Sequence, residues 1–168
     1  MTTATQTRHH LVTARVENKA GVLLRVAGLF SRRGYNIISL AVAPTDDEKF
    51  SRISIVVDIE SNLLQQVIDQ LDKLVNVVEI SELDPEHAKT AELLLVTVDA
   101  GIAVDAGLSE LVEHSGAVVV EKTDTKTMLR LVAEPAALDD FEQKLRSYQI
   151  SELQRTGAVA LRKLGGTS

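Results

Sequence analysis

The order in which hydrophobic periodicity changes along the chain most constrains its fold. Short runs of alternating apolar and polar residues predict strands, whereas apolar residues recurring every three to four positions predict helices. In the first half these runs follow the order strand, helix, strand, strand, helix, strand, and the second half repeats that order but not the residues. The sequence therefore predicts an α+β protein of two ferredoxin-like βαββαβ units, each with both helices on one face of an antiparallel sheet.

The first unit is predicted over residues 8–83. Its first helix, Val22–Arg33, has arginines in its last turn, where cations suit the helix dipole, and Gly34 can supply a left-handed stop. A second helix is marked by apolar residues between Leu63 and Leu71. The predicted strands are His10–Glu17, Tyr35–Ala43, Phe50–Asp58 and Val75–Glu82.

The second unit is predicted over residues 92–165, after a polar, proline-containing linker at residues 84–91. A strand-like run, Glu92–Asp99, leads to a helix that begins near Val104 and ends near Gly116. A hairpin follows around "TDTK", and Pro135 suits the start of the last helix. Each unit leaves one sheet face uncovered, and the apolar strand "SLAVA" needs a partner, so a homo-oligomer is expected.

Composition excludes several functional classes. The net charge of −6 argues against nucleic-acid binding, which needs clustered Lys and Arg. With no cysteine, disulfides and thiolate chemistry are excluded. No apolar run is long enough to span a membrane, and "MTTATQTRHH" has no apolar segment typical of a signal peptide. A cytoplasmic protein is expected.

The turn after the first strand is the leading candidate for a binding site. At a helix start, the backbone N–H groups of Ala20, Gly21, Val22 and Leu23 would be free, and such groups favour a carboxylate or phosphate. Gly21 lets a ligand approach the backbone, and Asn18 can both donate and accept hydrogen bonds, which suits an α-amino acid. Asn and Gly are also ordinary turn and cap residues, so spacing alone leaves both interpretations open.

A second candidate is "GYNI", where Asn36 begins a strand beside Ile37 and Ile38. Its amide could bind the polar head of a ligand while the branched residues hold an aliphatic tail. Asn36 could equally be a turn residue after Gly34.

No catalytic or metal-binding residues are predicted. The four histidines, His9, His10, His87 and His114, lack metal-ligand spacing, and the first two adjoin the N-terminal tail. The acidic pairs Asp46–Asp47 and Asp139–Asp140 suit a solvated turn and the first turn of a helix. The enzymatic alternative is an acylphosphatase-like hydrolase, because "AGVLLR" is similar to the phosphate-binding loop of that family, with Arg25 in the role of its arginine.

A longer resemblance favours regulation over catalysis. The stretch "RVENKAGVLLRVAGLFSRRGYNIISLAVAPTDD" strongly resembles the ACT domain of the small, regulatory subunits of acetolactate synthase, through its Glu-Asn-x-x-Gly turn, "RVAGLFSRRGYNI" and "SLAVAPTDD". The likeness extends through "SRISIVV" and "QLDKLVNVVEISEL" to about Leu83. The second half matches less closely, in "ELLLVTV" and "RTGAVALRKL", and "VEHSGAVVVEK" lacks the Phe-Arg pair and the Asp-Val usual in that family.

The resemblance implies a non-catalytic subunit. Two ACT domains would pair side by side and bind valine at their interface, with Asn18, Lys19, Ala20, Gly21, Val22 and Leu23 from one chain and Asn36 and Ile37 from the other. The partner would be a large catalytic subunit that holds thiamine diphosphate, Mg and FAD, so this chain would need no cofactor. The chain would activate that subunit and make it sensitive to valine. A free-standing ACT sensor for another amino acid is a third alternative.

Overall fold

The computed structural model describes residues 8–101 and 105–164, so predictions for residues 1–7, Val104 and residue 165 lie outside the described residues. The described chain forms two compact units. One unit contains the residues up to Lys89 together with the segment from Val159, and the other is Thr90–Ala158. No described helix is both long and apolar enough to cross a bilayer.

The first unit has a four-stranded antiparallel sheet in the order β2-β3-β1-β4, with β2 and β4 at its edges. Its two helices cover one face, where Val12, Ile53, Ile55, Val26 and Phe30 are fully buried. The arrangement confirms the predicted βαββαβ order. The elements are β1 (Arg8–Glu17), α1 (Val22–Arg32), β2 (Asn36–Pro44), β3 (Phe50–Ile59), α2 (Ser61–Asp72) and β4 (Val77–Leu83).

Helix α1 begins and ends at glycines. Gly21, with φ of 83°, lies in the left-handed region and caps the N-terminus without a side-chain hydrogen bond. Gly34, with φ of 71°, follows the last turn, and its N–H donates to the carbonyl of Ser31. Glycine adopts this conformation without the steric cost of a side chain. The left-handed Gly34 directly after the end of α1 confirms the prediction that this residue stops the helix.

The second unit repeats the topology of the first. Its strand order is β6-β7-β5-β8, and the two helices lie over a core that includes Leu94, Leu129 and Leu138. The predicted hairpin and the helix start at Pro135 are both present. The elements are β5 (Ala88–Val98), α3 (Ala106–Ser115), β6 (Val118–Lys122), β7 (Thr127–Ala133), α4 (Pro135–Leu145) and β8 (Ile150–Arg155).

A buried ion pair joins three elements of the second unit. The guanidinium of Arg155 on β8 donates to both carboxylate oxygens of Glu92 on β5, at 3.0 and 2.8 Å, and Glu92 is 6% exposed. Arg155 also donates to Asp139 on α4 at 2.5 Å. The Gly157 N–H donates to Glu92 at 3.2 Å. Asp139, predicted to lie in a first helical turn, therefore also helps to hold α4 against the sheet.

The segment predicted as a linker, residues 84–91, is largely regular structure. A short 3₁₀ turn, Pro85–His87, leads directly into β5, which begins four residues earlier than the predicted strand. Polar composition suggested a linker here, but Ala88 is buried at 6% exposure against Leu11 and Leu83.

The last described strand, β9 (Val159–Arg162), pairs with β5, and its Ala160 completes that apolar cluster with Leu11, Leu83 and Ala88. Next to β9, the Lys163 N–H donates to the carbonyl of His87 at 2.8 Å. Part of the sheet face predicted to be uncovered in the first unit is therefore covered by the chain's own C-terminal strand.

His10 is a buried residue of the first unit. It lies inside β1, is 8% exposed, and its Nδ1 is 2.7 Å from the Glu82 carboxylate. Its Nε2 is 3.2 Å from the Ser61 hydroxyl at the start of α2. Both ring nitrogens are occupied by structural contacts.

Candidate functional site

The turn between β1 and α1 is open to solvent. A Cβ built on Gly21 would meet nothing within 4 Å, and Asn18, Lys19 and Ala20 are exposed. No described residue accepts a hydrogen bond from the N–H groups of Ala20, Gly21 or Leu23. The expectation for Val22 was wrong, because its N–H donates to the carbonyl of Lys19, although at a long 3.3 Å. The helix start thus presents free donors and the positive end of its dipole to solvent.

The corresponding helix of the second unit differs in this respect. At the start of α3, the Asp105 carboxylate accepts from the Leu108 N–H at 2.9 Å, so a side chain caps that helix. In α1 the capping position is a glycine, and no side chain serves there. Of these two corresponding helix starts, the chain caps α3 with one of its own side chains and leaves α1 without such a cap.

Asn18 is fixed by the loop that connects β2 and β3. Its backbone N–H donates to the carbonyl of Lys49 at 2.7 Å, and its side-chain amide donates to the carbonyl of Glu48 at 2.9 Å. No described residue donates to its side-chain oxygen. That oxygen could accept a hydrogen bond from an ammonium group while the neighbouring N–H groups bind a carboxylate. The turn thus offers a partner to each of the two charged groups of an α-amino acid.

Glu17, Lys19 and Asn76 form a polar network beside the turn. The Glu17 carboxylate accepts from the Lys19 ammonium at 3.2 Å and from the Asn76 side-chain amide. Asn76 in turn accepts from the Arg25 guanidinium at 2.9 Å. These bonds hold the strand end and the helix on either side of the turn. The role of Asn76 was not predicted: the sequence placed this residue inside a strand beginning at Val75, whereas β4 begins at Val77 and Asn76 belongs to the preceding turn.

The hydrogen bond from Asn76, followed by the contact with Lys19, lowers the pKa of the Glu17 carboxyl below its ordinary value. Because the pKa is lowered in the folded state, these contacts stabilise the turn at neutral pH and lose their effect as pH falls through the lowered pKa. An NMR titration of the Glu17 carboxyl carbon should show this, and Asn76→Ala should move the pKa back up. Asn62→Ala, at an exposed asparagine of α2, should not; an unmoved Glu17 pKa in Asn76→Ala would contradict the assignment.

Asn36 and Ile37 lie far from the turn within one chain. Asn36 pairs with Asp58, whereas the end of β1 at Glu17 pairs with Phe50, eight positions away along β3. At a rise of about 3.3 Å per residue, the two places are roughly 26 Å apart. The structure therefore brings together residues 18–23 but not Asn36, so Asn36 can complete this site only from a second copy of the chain.

Ile37 and Ile38, which were both expected to hold the aliphatic tail of a ligand, differ in their exposure to solvent. Ile37 is half-buried and packs against the core of its own unit. A β-bulge between Ile37 and Ser39 leaves Ile38 45% exposed at the sheet edge. Of the two branched residues, Ile38 is thus the one positioned to meet a ligand or another chain. Val22 is likewise buried, at 5% exposure, so it can offer only its backbone.

The acylphosphatase-like arrangement is absent from the turn. The Arg25 guanidinium is hydrogen-bonded to Asn76, and Asn36, at the start of the following strand, lies at the opposite end of the sheet. Within the described residues, no three His, Asp or Glu side chains are grouped as a metal site would require. The geometry supports binding of a small anion or zwitterion rather than its hydrolysis.

Comparison with models of protein families identifies the class of protein to which each half of the chain is similar. Residues 13–79 match the model of the AHAS small subunit-like ACT domain, and residues 91–164 match the model described as the small subunit of acetolactate synthase. The first unit is thus an ACT domain, as predicted. Taken with the relatives described next, these matches show that the chain belongs to the family of acetolactate synthase small subunits.

Relatives span nearly the whole chain. The acetolactate synthase small subunit of Mycolicibacterium smegmatis is 37% identical over 90% of this chain and 89% of its own length. A probable acetolactate synthase small subunit of Archaeoglobus fulgidus is 38% identical over 90% of this chain and 95% of its own. The crystal structure of the acetolactate synthase small subunit from Thermotoga maritima superimposes with a TM-score of 0.86 and 30% identity, over 95% of this chain and 99% of that one.

Proposed function

We propose that this chain binds valine at the turn of residues 18–23 and thereby regulates a large, catalytic acetolactate synthase subunit. The observation that carries the proposal is the uncapped start of α1 beside Asn18. Its free N–H groups suit the carboxylate of the amino acid, and the unused side-chain oxygen of Asn18 suits its ammonium group. Leu23, 38% exposed, adds apolar surface next to these polar groups.

The site is proposed to be completed in a homodimer of ACT domains. Asn36 is too distant to reach the turn of its own chain, but it lies on β2, an edge strand of the described sheet. Ile38 and Val42 on that strand are each 45% exposed, which favours contact with another chain. In this arrangement the partner's Asn36 closes the site over the ligand.

A ligand shared by two chains can regulate because it favours one arrangement of the dimer over another. The catalysis is proposed to belong to the large subunit, with thiamine diphosphate, Mg and FAD bound there, while this cytoplasmic chain raises its activity and confers inhibition by valine. The turn would bind valine, and the resulting change in the arrangement of the dimer would alter the activity of the large subunit.

Isothermal titration of the purified chain with valine tests the proposal, with leucine and phenylalanine as comparisons. We expect saturable binding of about one valine per chain. Asn18→Ala should weaken it on the order of tenfold, the usual scale for loss of a hydrogen bond to a charged group. Asn62→Ala serves as the matched control and should bind as the unaltered chain does.

Two outcomes would count against the proposal. Equal affinity in Asn18→Ala would remove the turn from the site. Binding of a different amino acid, with no effect on a large acetolactate synthase subunit, would favour a free-standing ACT sensor.

A further inference from the structure

The side chain of Asn76 connects the two ends of the ligand turn. Glu17 is the last residue of β1 and Arg25 lies in the first part of α1, so together they bracket residues 18–23. The Asn76 amide donates to the Glu17 carboxylate, and its oxygen accepts from the Arg25 guanidinium at 2.9 Å. Its backbone carbonyl also accepts from the Glu17 N–H at 2.8 Å.

A carboxamide is the side chain that suits both contacts. It provides a donor to the carboxylate of Glu17 and an acceptor to the cation of Arg25 in one rigid plane. An aspartate could accept from Arg25 but would place a second carboxylate against Glu17. An alanine would lose both bonds, and both are to charged groups, which makes them stronger than neutral hydrogen bonds.

Asn76 is itself held in a tight turn. This turn, Leu74–Val77, connects α2 to β4: the Leu74 N–H donates to Leu71 at 3.0 Å and the Val77 N–H donates to Leu74 at 2.9 Å. Val75, at its tip, is 94% exposed. Asn76, which contacts both ends of the ligand turn, is therefore the direct chain neighbour of an exposed residue.

We propose that Asn76 is a positioning residue for the ligand site: it holds residues 18–23 in the geometry that binds the amino acid, and it couples that site to the α2–β4 turn. The inference rests on the proposed function, because it assigns a role toward the same ligand. By linkage, if the α2–β4 turn stabilises the bound form, bound valine stabilises the α2–β4 turn.

Exchanging the two polar groups tests the bridge directly. In the double variant Glu17→Gln/Asn76→Asp, the new amide at position 17 can donate to the new carboxylate at position 76, which still accepts from Arg25. The net charge is unchanged. The Lys19 contact with Glu17 is lost, but Lys19 is 67% exposed and such contacts contribute little.

The binding measurements compare Asn76→Ala, Asn76→Asp and this double variant by titration with valine at pH 7.5. Both single variants should bind on the order of tenfold or more weakly, while melting temperatures report that they remain folded. The double variant should recover affinity to within about threefold. Asn76→Asp alone should bind more tightly as pH is lowered to about 5.5, since one of its adjacent carboxyls then takes up a proton.

Amide hydrogen exchange without ligand provides a second readout. Asn76→Ala should speed exchange at Lys19 and Val22, whose N–H groups are hydrogen-bonded within the turn, and leave Leu108 in the second unit unchanged. In the unaltered chain, valine should slow exchange at Val77.

The outcomes separate the two proposals. If the unaltered chain binds no amino acid, the proposed function fails, and unchanged exchange in Asn76→Ala then also overturns the positioning role. If valine binds equally well to the unaltered chain and to Asn76→Ala, the function stands and the positioning role falls. Failure of the double variant to recover affinity overturns the bridge.

Discussion

Replacing Gly21 with aspartate is expected to abolish valine binding while the chain remains folded. The new carboxylate would lie beside the free N–H groups of Ala20 and Leu23, where the ligand's carboxylate is proposed to bind, and would repel it. The space is open, since a Cβ on Gly21 meets nothing within 4 Å. The left-handed φ of 83° makes any side chain there cost about 1 kcal/mol, a modest loss of stability.

Titration and thermal melting together check this result. We expect an affinity loss of about a hundredfold or more, which corresponds to roughly 2.7 kcal/mol, and a melting temperature only a few degrees lower. Gly21→Asn has the same shape without the charge and should retain more binding. Gly116→Asp matches the backbone strain, at φ of 74° with equally open space, but lies in the second unit and should bind normally. Undiminished valine binding in Gly21→Asp would remove the helix start from the site.

Arg155→Met is expected to destabilise the second unit by about 3–5 kcal/mol, because it leaves the carboxylate of Glu92 buried without its counter-charge. The hydrogen bonds from Arg155 to Glu92 raise the pKa of the Arg155 guanidinium, so this side chain carries its positive charge against the Glu92 carboxyl group. The Gly157 N–H alone cannot balance that buried charge. Denaturant unfolding, followed by a probe in the second unit, measures the loss.

Two further variants show whether the cost arises from the unpaired charge. Arg155→Met/Glu92→Leu removes both partners and should recover much of the stability, since buried pairs can be replaced by apolar residues at little cost. Arg146→Met removes an exposed i, i+4 contact to Glu142 at 3.6 Å and should change stability by less than about 0.5 kcal/mol. A similar small effect for Arg155→Met would mean that the buried pair contributes little.

Local signals were sufficient for the elements of the fold. The helical spacing of Val22, Val26 and Phe30 identified the buried face of α1, and Gly34 identified its end, because both depend on residues within one or two turns. The repeated order of elements also fixed the topology of both sheets, since short connections leave few alternatives.

Contacts between distant residues were beyond that reasoning. Asn76 and Glu17 are 59 positions apart, and the loop carbonyl that fixes the Asn18 side chain is 30 positions away. The bulge that exchanges the roles of Ile37 and Ile38 adds one residue to an alternating pattern, and alternation alone does not reveal where that residue falls. The sequence could therefore place a candidate turn but not the side chains that hold it.

The position of β9 has a consequence for how the two units can be separated. The second unit is nested within the sequence of the first, because the segment from Val159 belongs to the first unit. Ala160 in that segment packs with Leu11 and Leu83. A fragment truncated near Lys89 would expose this apolar surface to water. To produce the first unit alone, residues 90–158 would be deleted and replaced by a short linker that keeps the C-terminal strand. The first unit can therefore be transferred to another protein only as two segments of sequence.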